Sequence, residues 1–309
     1  MQARCAIGVD VGGTKCAAGL VLVPEGRLVA RRLRATAPER GGAPVLREVI
    51  ELIISLQAEA TRLTLKPVAV GVGIAELVST SGELLSEATI KWRDLPVRNE
   101  IQTRARLPVR LEADVRAAAR AEAHAGAGRG LESFVYVTVG TGISASLVLR
   151  GDPYAGAHGL TGTFFSSPGL IPTDDGTLVS GPPLEHFAGG PALAARFAAG
   201  GGHPTATAQD VIELSEAGDA SAQAVVASAA KALGASIAQL VNMLDPEAVV
   251  IGGGLGLVGG RWRDSIEDAM RSHIWCECHR DVPLIPAGLG VDAGVVGTAL
   301  AAVAAGEAS

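Results

Sequence analysis

Apolar runs separated by glycine- and proline-rich turns mark the start of the chain. Residues 6–11 are mostly apolar, a Gly-Gly turn follows at 12–13, and a second apolar run covers 17–23. A strand, a glycine turn and a second strand predict a β-hairpin. Residues 38–44 concentrate proline and glycine, which interrupt regular structure, and therefore predict a loop.

Helical and extended patterns alternate through the rest of the chain. Three segments carry apolar or alanine residues in a helical pattern: 45–63, 115–125 and 221–244. Three short apolar runs predict buried strands: 68–74, 134–139 and 248–251. Strands that alternate with helices are typical of α/β proteins, so we expect two α/β halves, the first ending near Leu111.

Residues 151–210 differ from both halves because they carry little periodicity and are rich in Gly, Pro, Thr and Ser. Tyr154, Phe164, Phe165 and Phe187 supply apolar anchors in this stretch. A long irregular segment with such anchors is more typical of a functional loop region than of a disordered insert.

Charge and composition narrow the possible partners. The 26 basic and 32 acidic residues give a net charge of −6, which leaves no basic excess to bind a nucleic-acid backbone. No apolar run approaches the roughly 20 residues that span a bilayer, and the N-terminus lacks the pattern of a signal peptide. We therefore expect a cytoplasmic protein with neither nucleic acid nor membrane as its partner.

The four cysteines are too few and too unevenly placed for a disulfide framework. Cys276 and Cys278 lie close together, with His273 and His279 beside them, and admit a metal site. Structural zinc sites usually draw on two ligand pairs, so a surface segment with ordinary thiols is the favoured interpretation.

An acid and a glycine turn come together at the end of the first predicted strand, in the order Asp10, Gly12, Gly13, Thr14, Lys15. Glycine lets backbone N–H groups approach phosphate oxygens, the threonine can donate its hydroxyl, and the aspartate can hold Mg²⁺ through water. The spacing is not that of a Walker loop. The alternative is a plain glycine hairpin, which would not require the three polar residues together.

Two further glycine turns follow later strands. One repeats the same arrangement after the strand 134–139: Thr138, Gly140, Thr141 and Gly142. A pair of such turns, one in each half, could clamp a polyphosphate. The other follows the strand 248–251: Gly252, Gly253 and Gly254. It favours close approach to a nucleotide, with a tight packing turn as the alternative.

Asp114 stands between a predicted strand and the helix 115–125. A carboxylate in this position could accept the proton of a hydroxyl group that attacks a phosphoryl group. It could equally cap the helix that starts at Val115, and the residues alone leave both interpretations open.

Together these motifs resemble the ROK family, a group of bacterial sugar kinases and sugar-responsive repressors among the actin-like, hexokinase-like ATPases. Four segments carry the resemblance in the family's order: the first phosphate motif from Asp10, the second at 137–144, the nucleotide segment at 245–256 and the closing helix at 291–302. The resemblance covers almost the whole chain. Only nine residues precede the first motif, where repressor members carry a DNA-binding segment, so we expect a kinase.

The resemblance implies a two-domain actin-like ATPase fold, related to ribonuclease H, with sugar and ATP in a cleft and Mg²⁺ bridging the phosphates. We expect a small α/β domain from 1–112 plus 293–309, a large domain from 113–292, and a homodimer. The catalytic base carries over to Asp114. The expected contacts to the substrate are Glu76, Asp114, His158, Thr163 and Glu185.

Departures from the family pattern concentrate near the sugar-contacting segment. Where the family usually has Gly-Glu-x-Gly-His, the chain has Thr163 in place of the sugar-contacting Glu and Ser166 in place of the zinc-binding His. Gly176, Leu178 and Pro183 occupy the positions of the three zinc cysteines. All four ligands are replaced together, so we expect no structural zinc.

A pocket that keeps its base but loses sugar-reading polar groups favours a different ring. We therefore expect an ATP-dependent kinase that phosphorylates an exocyclic hydroxyl of a sugar-like polyol. The resemblance suggests a seven-carbon cyclitol as the acceptor, since some ROK members phosphorylate such compounds. The alternatives are a glucokinase or other hexose or N-acetylhexosamine kinase, and a catalytically inactive sugar-binding sensor.

Overall fold

The computed structural model describes residues 2–307. Its strands are β1 (Ala3–Val11), β2 (Lys15–Leu22), β3 (Arg27–Ala35), β4 (Leu65–Ile74), β5 (Val109–Ala113), β6 (Ser133–Val139), β7 (Ile143–Leu149), β8 (Asp152–Pro153), β9 (Pro168–Pro172), β10 (Leu178–Pro183), β11 (Ala248–Gly252) and β12 (Leu284–Pro286). Its α-helices are α1 (Gly42–Arg62), α2 (Val97–Ala105), α3 (Asp114–Ala125), α4 (Glu185–Ala188), α5 (Gly190–Ala199), α6 (Ala208–Glu216), α7 (Ala220–Leu244), α8 (Gly260–His273) and α9 (Ala293–Glu307).

Contacts between residues divide the described chain into two compact units. Unit 1 takes the described residues of Met1–Gly130, Val148–Thr161 and Val291–Ser309. Unit 2 takes Leu131–Leu147 and Gly162–Gly290. The domain boundaries drawn from the sequence, at 112/113 and 292/293, stay a prediction.

Unit 1 is built on a five-stranded sheet in the order β3-β2-β1-β4-β5. The predicted hairpin is confirmed, because β1 and β2 pair antiparallel across the Gly-Gly turn. The strands β4 and β5 continue the sheet parallel to β1. Apolar residues of these strands form one core with the buried face of α1, on which Val49, Ile53 and Leu56 are almost fully buried.

The start of α1 corrects the loop predicted at 38–44. A short 3-10 turn covers Pro38–Arg40, and α1 begins at Gly42 with Pro44 in its first turn. The first backbone N–H groups of a helix have no partner within the helix, so proline is tolerated there. The proline and glycine signals therefore mark a helix start rather than an extended loop.

The C-terminal helix α9 packs against the sheet of unit 1 at very close range. A Cβ on Gly8 of β1 would overlap the carbonyl oxygen of Val295, and one on Gly71 of β4 would overlap that of Thr298. The absence of these two side chains lets the helix backbone approach the strands directly. Thr298 is completely buried at this contact.

Unit 2 contains the sheet neighbours β12, β11, β6 and β7, with β11 parallel to both β6 and β12. The long helix α7 is part of its core, where Ala229, Leu233 and Ile237 are fully buried, and it packs on α8. By length and composition α7 could cross a membrane, which the sequence analysis did not anticipate. Its apolar residues are instead those of a core helix, since more than half of its apolar window is buried inside the protein.

The segment 151–210 holds more regular structure than its composition predicts. Strands β9 and β10 pair as an antiparallel hairpin, and helices α4 and α5 follow. Of the expected anchors, Phe165 is fully buried and Phe187 packs against the core of unit 2. Tyr154 is 53% exposed, and Phe164 is 37% exposed but stacks edge-to-face on the ring of Phe165.

Candidate functional site

Three carboxylates of unit 1 follow the ends of its central strands. Asp10 is the penultimate residue of β1 and pairs with Gly73 of β4, Glu76 lies two residues beyond the end of β4, and Asp114 directly follows β5. The strands β1, β4 and β5 run parallel, so their carboxyl ends meet at one edge of the sheet. Ligands of open α/β sheets bind at this edge.

The carboxyl groups of Asp10 and Asp114 are harder to ionise than ordinary aspartates. Burial, together with the nearby charge of Asp114, raises the pKa of Asp10 to about 7. Burial also raises the pKa of Asp114 to about 6, with Glu76 acting in the same direction. A hydrogen bond from the backbone N–H of Val115 and the positive charge of Arg116 act in the opposite direction.

The structure bears on one of the two interpretations of Asp114, the helix cap, and the role as a base stays a prediction. Helix α3 has Ala113 as its N-cap residue, without a capping side chain, and Asp114 is the first residue within the helix. Its Oδ1 accepts a hydrogen bond of 2.6 Å from the N–H of Val115. The carboxylate therefore lies at a helix N-terminus, where negative charge is stabilised, but it does not cap the helix in the predicted way.

Glu76 is buried at 6% exposure and holds the loop that follows it. Its Oε1 accepts from the backbone N–H groups of Thr89 and Ile90, and its Oε2 accepts from the N–H of Ala88 and the hydroxyl of Ser86. Both oxygens are thus engaged within the protein. The contact to substrate expected of Glu76 stays a prediction, and the structure shows a loop-holding role beside it.

Arg116 is a site residue that the sequence analysis missed. It is 3% exposed and forms an ion pair with Glu112, its Nε lying 2.6 Å from Oε1. Its two terminal nitrogens donate to the carbonyl oxygens of Gly159 and Val78, at 2.8 and 2.7 Å. The guanidinium therefore ties the segment after β8 and the segment after β4 to the first turn of α3. The Glu-x-x-x-Arg spacing was the available signal.

The first glycine turn is closed by its own backbone. Gly12 donates to the carbonyl oxygen of Lys15 at 3.0 Å, and the hydroxyl of Thr36 donates to the carbonyl oxygen of Gly12 at 2.7 Å. Thr14 and Lys15 are exposed, and Gly13 packs near the methyl group of Thr89. His158, another expected substrate contact in unit 1, is exposed and directly precedes Gly159, whose carbonyl oxygen accepts from Arg116.

The second glycine turn lies in unit 2 and is equally well defined. Gly140 donates to the carbonyl oxygen of Gly142 at 2.9 Å and accepts from the N–H of Gly190 at 2.8 Å. A Cβ on Gly142 would come within 2.9 Å of Oε2 of Glu185, whereas a Cβ on Gly140 would meet nothing within 4 Å. The predicted site residues Thr141, Gly142 and Glu185 are therefore close neighbours.

The third glycine run packs on the second turn. Gly253 has φ of +82°, and a Cβ there would lie 2.7 Å from the hydroxyl oxygen of Thr138. Two further N–H groups, from Leu255 and Gly256, donate to the carbonyl oxygen of Val139. The structure thus brings Thr138, Gly140, Thr141, Gly142, Gly252, Gly253 and Gly254 together at the ends of β6 and β11.

Thr163 begins a short 3-10 helix, Thr163–Ser166, and is partly exposed. The hydroxyl of Ser144 donates to the carbonyl oxygen of Gly162 just before it. Within residues 2–307 no group of three or more His, Cys, Asp or Glu side chains is arranged to hold a metal ion. The expected absence of zinc stays a prediction.

The carboxylates of unit 1 fit a hard cation held through water. Mg²⁺ prefers oxygen ligands and keeps several of its waters when it binds. The charge of Asp114 helps to raise the pKa of Asp10, and a divalent cation between two such carboxylates relieves their repulsion. Asp10 and Asp114 are therefore the residues that would hold magnesium, through water.

A family model described as ROK family matches residues 6–305. A glucokinase from Streptomyces coelicolor is 31% identical over 315 residues, covering 95% of this chain and 96% of that protein. A glucokinase from Halalkalibacterium halodurans is 29% identical over 314 residues, covering 96% of this chain and 94% of that protein. The similarity therefore extends along nearly the whole length of both partners.

A solved structure of a ROK hexokinase from Thermus thermophilus superposes with a TM-score of 0.80 at 31% identity, covering 99% of this chain and 100% of that one. A ROK family glucokinase from Streptomyces griseus, solved in complex with glucose and AMPPNP, gives a TM-score of 0.79 at 27% identity and covers 97% and 99%. The predicted α/β fold of the actin-like ATPases is confirmed by these likenesses.

Proposed function

The chain belongs to the ROK family, and we propose that it is a kinase that transfers the terminal phosphoryl group of ATP to a hydroxyl group of a sugar. The placement of Asp114 carries this proposal. It stands at the carboxyl edge of the sheet, beside Asp10, at the start of a helix. The named activities of the similar proteins, glucokinase and hexokinase, support it.

In the proposed reaction, Asp114 accepts the proton of the acceptor hydroxyl as that oxygen attacks the phosphoryl group. The raised pKa of about 6 makes this carboxylate a stronger base than an ordinary aspartate, while it remains largely ionised near pH 7. Arg116, through its ion pair with Glu112, holds the first turn of α3 and hence the base in place.

The phosphates of ATP are assigned to the backbone N–H groups of the glycine turns. Gly12 and Gly13 in the first turn, and Gly140 and Gly142 in the second, carry no side chain that would block a phosphate oxygen, which is the usual reason for glycine in such turns. The N–H groups of Gly12 and Gly140 already donate to carbonyl oxygens of their own turns, so the phosphates are assigned to the other N–H groups. The exposed hydroxyl of Thr14 adds a further donor. Magnesium, when bound, neutralises charge on the phosphate oxygens.

Two acceptor classes have separate support. The similar proteins are named glucokinase and hexokinase, which favours a hexose. A seven-carbon cyclitol is favoured by departures from the family pattern, such as Thr163 and Ser166 in place of Glu and His. The hexose is therefore the first acceptor to test. We further infer a cytoplasmic homodimer, for which light scattering of the purified protein is the test.

A panel of acceptors tests the proposal. Purified protein with ATP and Mg²⁺ is given glucose, mannose, N-acetylmannosamine, N-acetylglucosamine and a seven-carbon cyclitol, and ADP release is measured. We expect turnover on one acceptor class that disappears in Asp114→Asn. Turnover on glucose would exclude the cyclitol as the favoured acceptor. Saturable sugar binding without ADP release on any acceptor would contradict the kinase proposal and support a catalytically inactive sugar-binding sensor.

A further inference from the structure

Two cysteine thiols lie against each other on the surface of unit 2. Cys276 precedes the short 3-10 helix Glu277–His279, and Cys278 lies within it. Their Sγ atoms are 2.8 Å apart. A disulfide bond measures about 2.05 Å, so only a small movement separates the two thiols from bond formation.

The pair is open to solvent. Cys278 is exposed and Cys276 is half-buried, while the neighbouring Trp275 is 87% exposed. The other two cysteines of the chain differ in both respects. Cys5 and Cys16 are buried, and burial raises the pKa of their thiols to about 11 and about 12. A dissolved reagent therefore meets two accessible thiols and two protected ones.

The two thiols of the pair are not equivalent. The hydrogen bond from the Cys278 thiol lowers the pKa of Cys276, and the backbone N–H groups of Cys278 and His279 and the charge of Arg280 act in the same direction. The same contact raises the pKa of Cys278, as does the carboxylate of Asp245. A thiolate is the attacking species in thiol chemistry, so Cys276 is the nucleophile and Cys278 the resolving thiol.

The surroundings favour redox chemistry over metal binding. A structural zinc ion requires four ligands in tetrahedral arrangement. The nearest histidine, His279, directs its Nε2 to Asp245, 3.3 Å from Oδ1. Among the described residues no third His, Cys, Asp or Glu converges with the two thiols into a group that could hold a metal. The site consists of two sulfur atoms.

We propose that Cys276 and Cys278 form a reversible disulfide by exchange with a low-molecular-weight disulfide such as glutathione disulfide. The Cys276 thiolate attacks one sulfur of glutathione disulfide, which forms a mixed disulfide and releases one glutathione thiolate. The Cys278 thiolate, having given up its proton to solvent, then attacks Sγ of Cys276 and releases the second glutathione. The protein dithiol is oxidised by two electrons, and glutathione disulfide is reduced to two glutathione molecules.

The test is a redox titration of the native protein. Reduced protein is equilibrated without oxygen in glutathione buffers of increasing disulfide content, quenched with acid and alkylated after unfolding, and its mass is measured. We expect two thiols to be lost together, so that the oxidised protein carries two alkyl groups fewer than the reduced protein and retains no glutathione. Peptide mapping should place the bond between Cys276 and Cys278. The indole fluorescence of Trp275 should fall in the same titration.

Single variants separate the two roles. Cys278→Ser should stop at the mixed disulfide and retain one glutathione on Cys276. Cys276→Ser, which keeps only the less acidic thiol, should take up glutathione at least about tenfold more slowly. The double variant should lose no thiol at any buffer ratio, because Cys5 and Cys16 are buried.

Three results would overturn the proposal. The two thiols could remain alkylatable in the most oxidising buffer, they could each retain glutathione, or they could link two chains on a non-reducing gel. Protection from alkylation by added Zn²⁺ that a chelator reverses, without a disulfide in oxidising buffer, would replace the redox site with a metal site. None of these measurements uses kinase activity, so the proposal is tested independently of the proposed function.

Discussion

The candidate sites of the two units are built from different chemical groups, charged side chains in unit 1 and mainly backbone in unit 2. Unit 1 concentrates charge after the ends of its strands, where Asp10, Glu76 and Asp114 lie and where the buried cation of Arg116 acts on Asp114. Unit 2 presents mainly backbone, with glycines at the ends of β6 and β11 and Glu185 beside them. Proton transfer and cation binding need side chains, whereas phosphate binding needs unobstructed N–H groups. The contrast suggests that substitutions in unit 1 act on chemistry and substitutions in unit 2 act on nucleotide affinity.

The largest effect should come from removing the base in unit 1. Asp114→Asn keeps the shape of the side chain but cannot accept a proton, and general bases contribute about 10²–10⁴-fold to rate. We expect kcat to fall by at least about 10³-fold with the KM for ATP nearly unchanged. Asp268→Asn, the same substitution on the exposed side of α8, is the control. An unchanged kcat in Asp114→Asn would show that Asp114 is not the general base.

Arg116→Met tests the buried cation of unit 1. The change removes the buried partner of the Glu112 carboxylate, which keeps its contact with the more exposed Arg110 at 3.2 Å, and breaking a buried ion pair typically costs about 3–5 kcal/mol of unfolding free energy. Arg62→Met breaks the ion pair with Glu59 on the exposed end of α1 and should cost less than about 1 kcal/mol. Urea denaturation of both variants gives the comparison. Equal losses would contradict the structural role assigned to Arg116.

Glycine substitutions test the backbone site of unit 2. Gly253→Ala places a Cβ against Thr138 at a position with φ of +82°, and we expect a loss of about 1–3 kcal/mol and weaker ATP binding. Gly254→Ala introduces a Cβ that meets nothing within 4 Å and should leave stability nearly unchanged. Thermal unfolding and nucleotide titration give both quantities. If the two variants lost stability equally, close packing of Gly253 would not explain its glycine.

One aspartate in each unit should make stability depend on pH, with opposite signs for the two. Burial raises the pKa of Asp10 to about 7, so its stabilising contribution is complete below the ordinary pKa near 3.8 and is lost as pH rises through 7. At pH 8, Asp10→Asn should therefore have a higher melting temperature than the wild type, with an unfolding free energy larger by roughly 1–2 kcal/mol. Near pH 4 the two proteins should unfold at about the same temperature.

Asp175 in unit 2 provides the matched opposite case. Hydrogen bonds from Thr173 and Thr177 lower the pKa of Asp175 to about 2, so its contribution is present above the ordinary pKa and is lost as pH falls through 2. Asp175→Asn should lower the melting temperature at pH 8. The same sign for both variants at pH 8 would contradict the different environments assigned to the two carboxylates.

The smallest effect concerns metal removal from unit 2. Because the positions of all four zinc ligands of the family pattern hold other residues, dialysis against a zinc chelator should leave the melting temperature unchanged. Elemental analysis of the same sample should find no bound zinc. A lower melting temperature that added Zn²⁺ restores would show a zinc site that the family pattern does not indicate.

The elements and glycine turns were largely predictable because their signals are local. Helical spacing over 45–63 and the strand-turn-strand pattern at Gly12 depend on neighbouring residues, and both appear in the structure. The roles of Glu76 and Arg116 depend on partners far along the chain, such as Ile90 and Gly159, and no local pattern reports such contacts. The hairpin β9–β10 was missed because its prolines and glycines dominate its composition.

The fit between α9 and the sheet of unit 1 also sets an order of events during synthesis. Strand β1 precedes the other described strands and helices along the chain, whereas α9 follows them all, so the strands at Gly8 and Gly71 are synthesised well before the helix that packs on them. Unit 2, whose residues end at Gly290, is fully synthesised by then. The core of unit 1 is therefore completed only after all of unit 2 has been synthesised, and a chain truncated before Ala293 lacks the helix that packs on the sheet of unit 1.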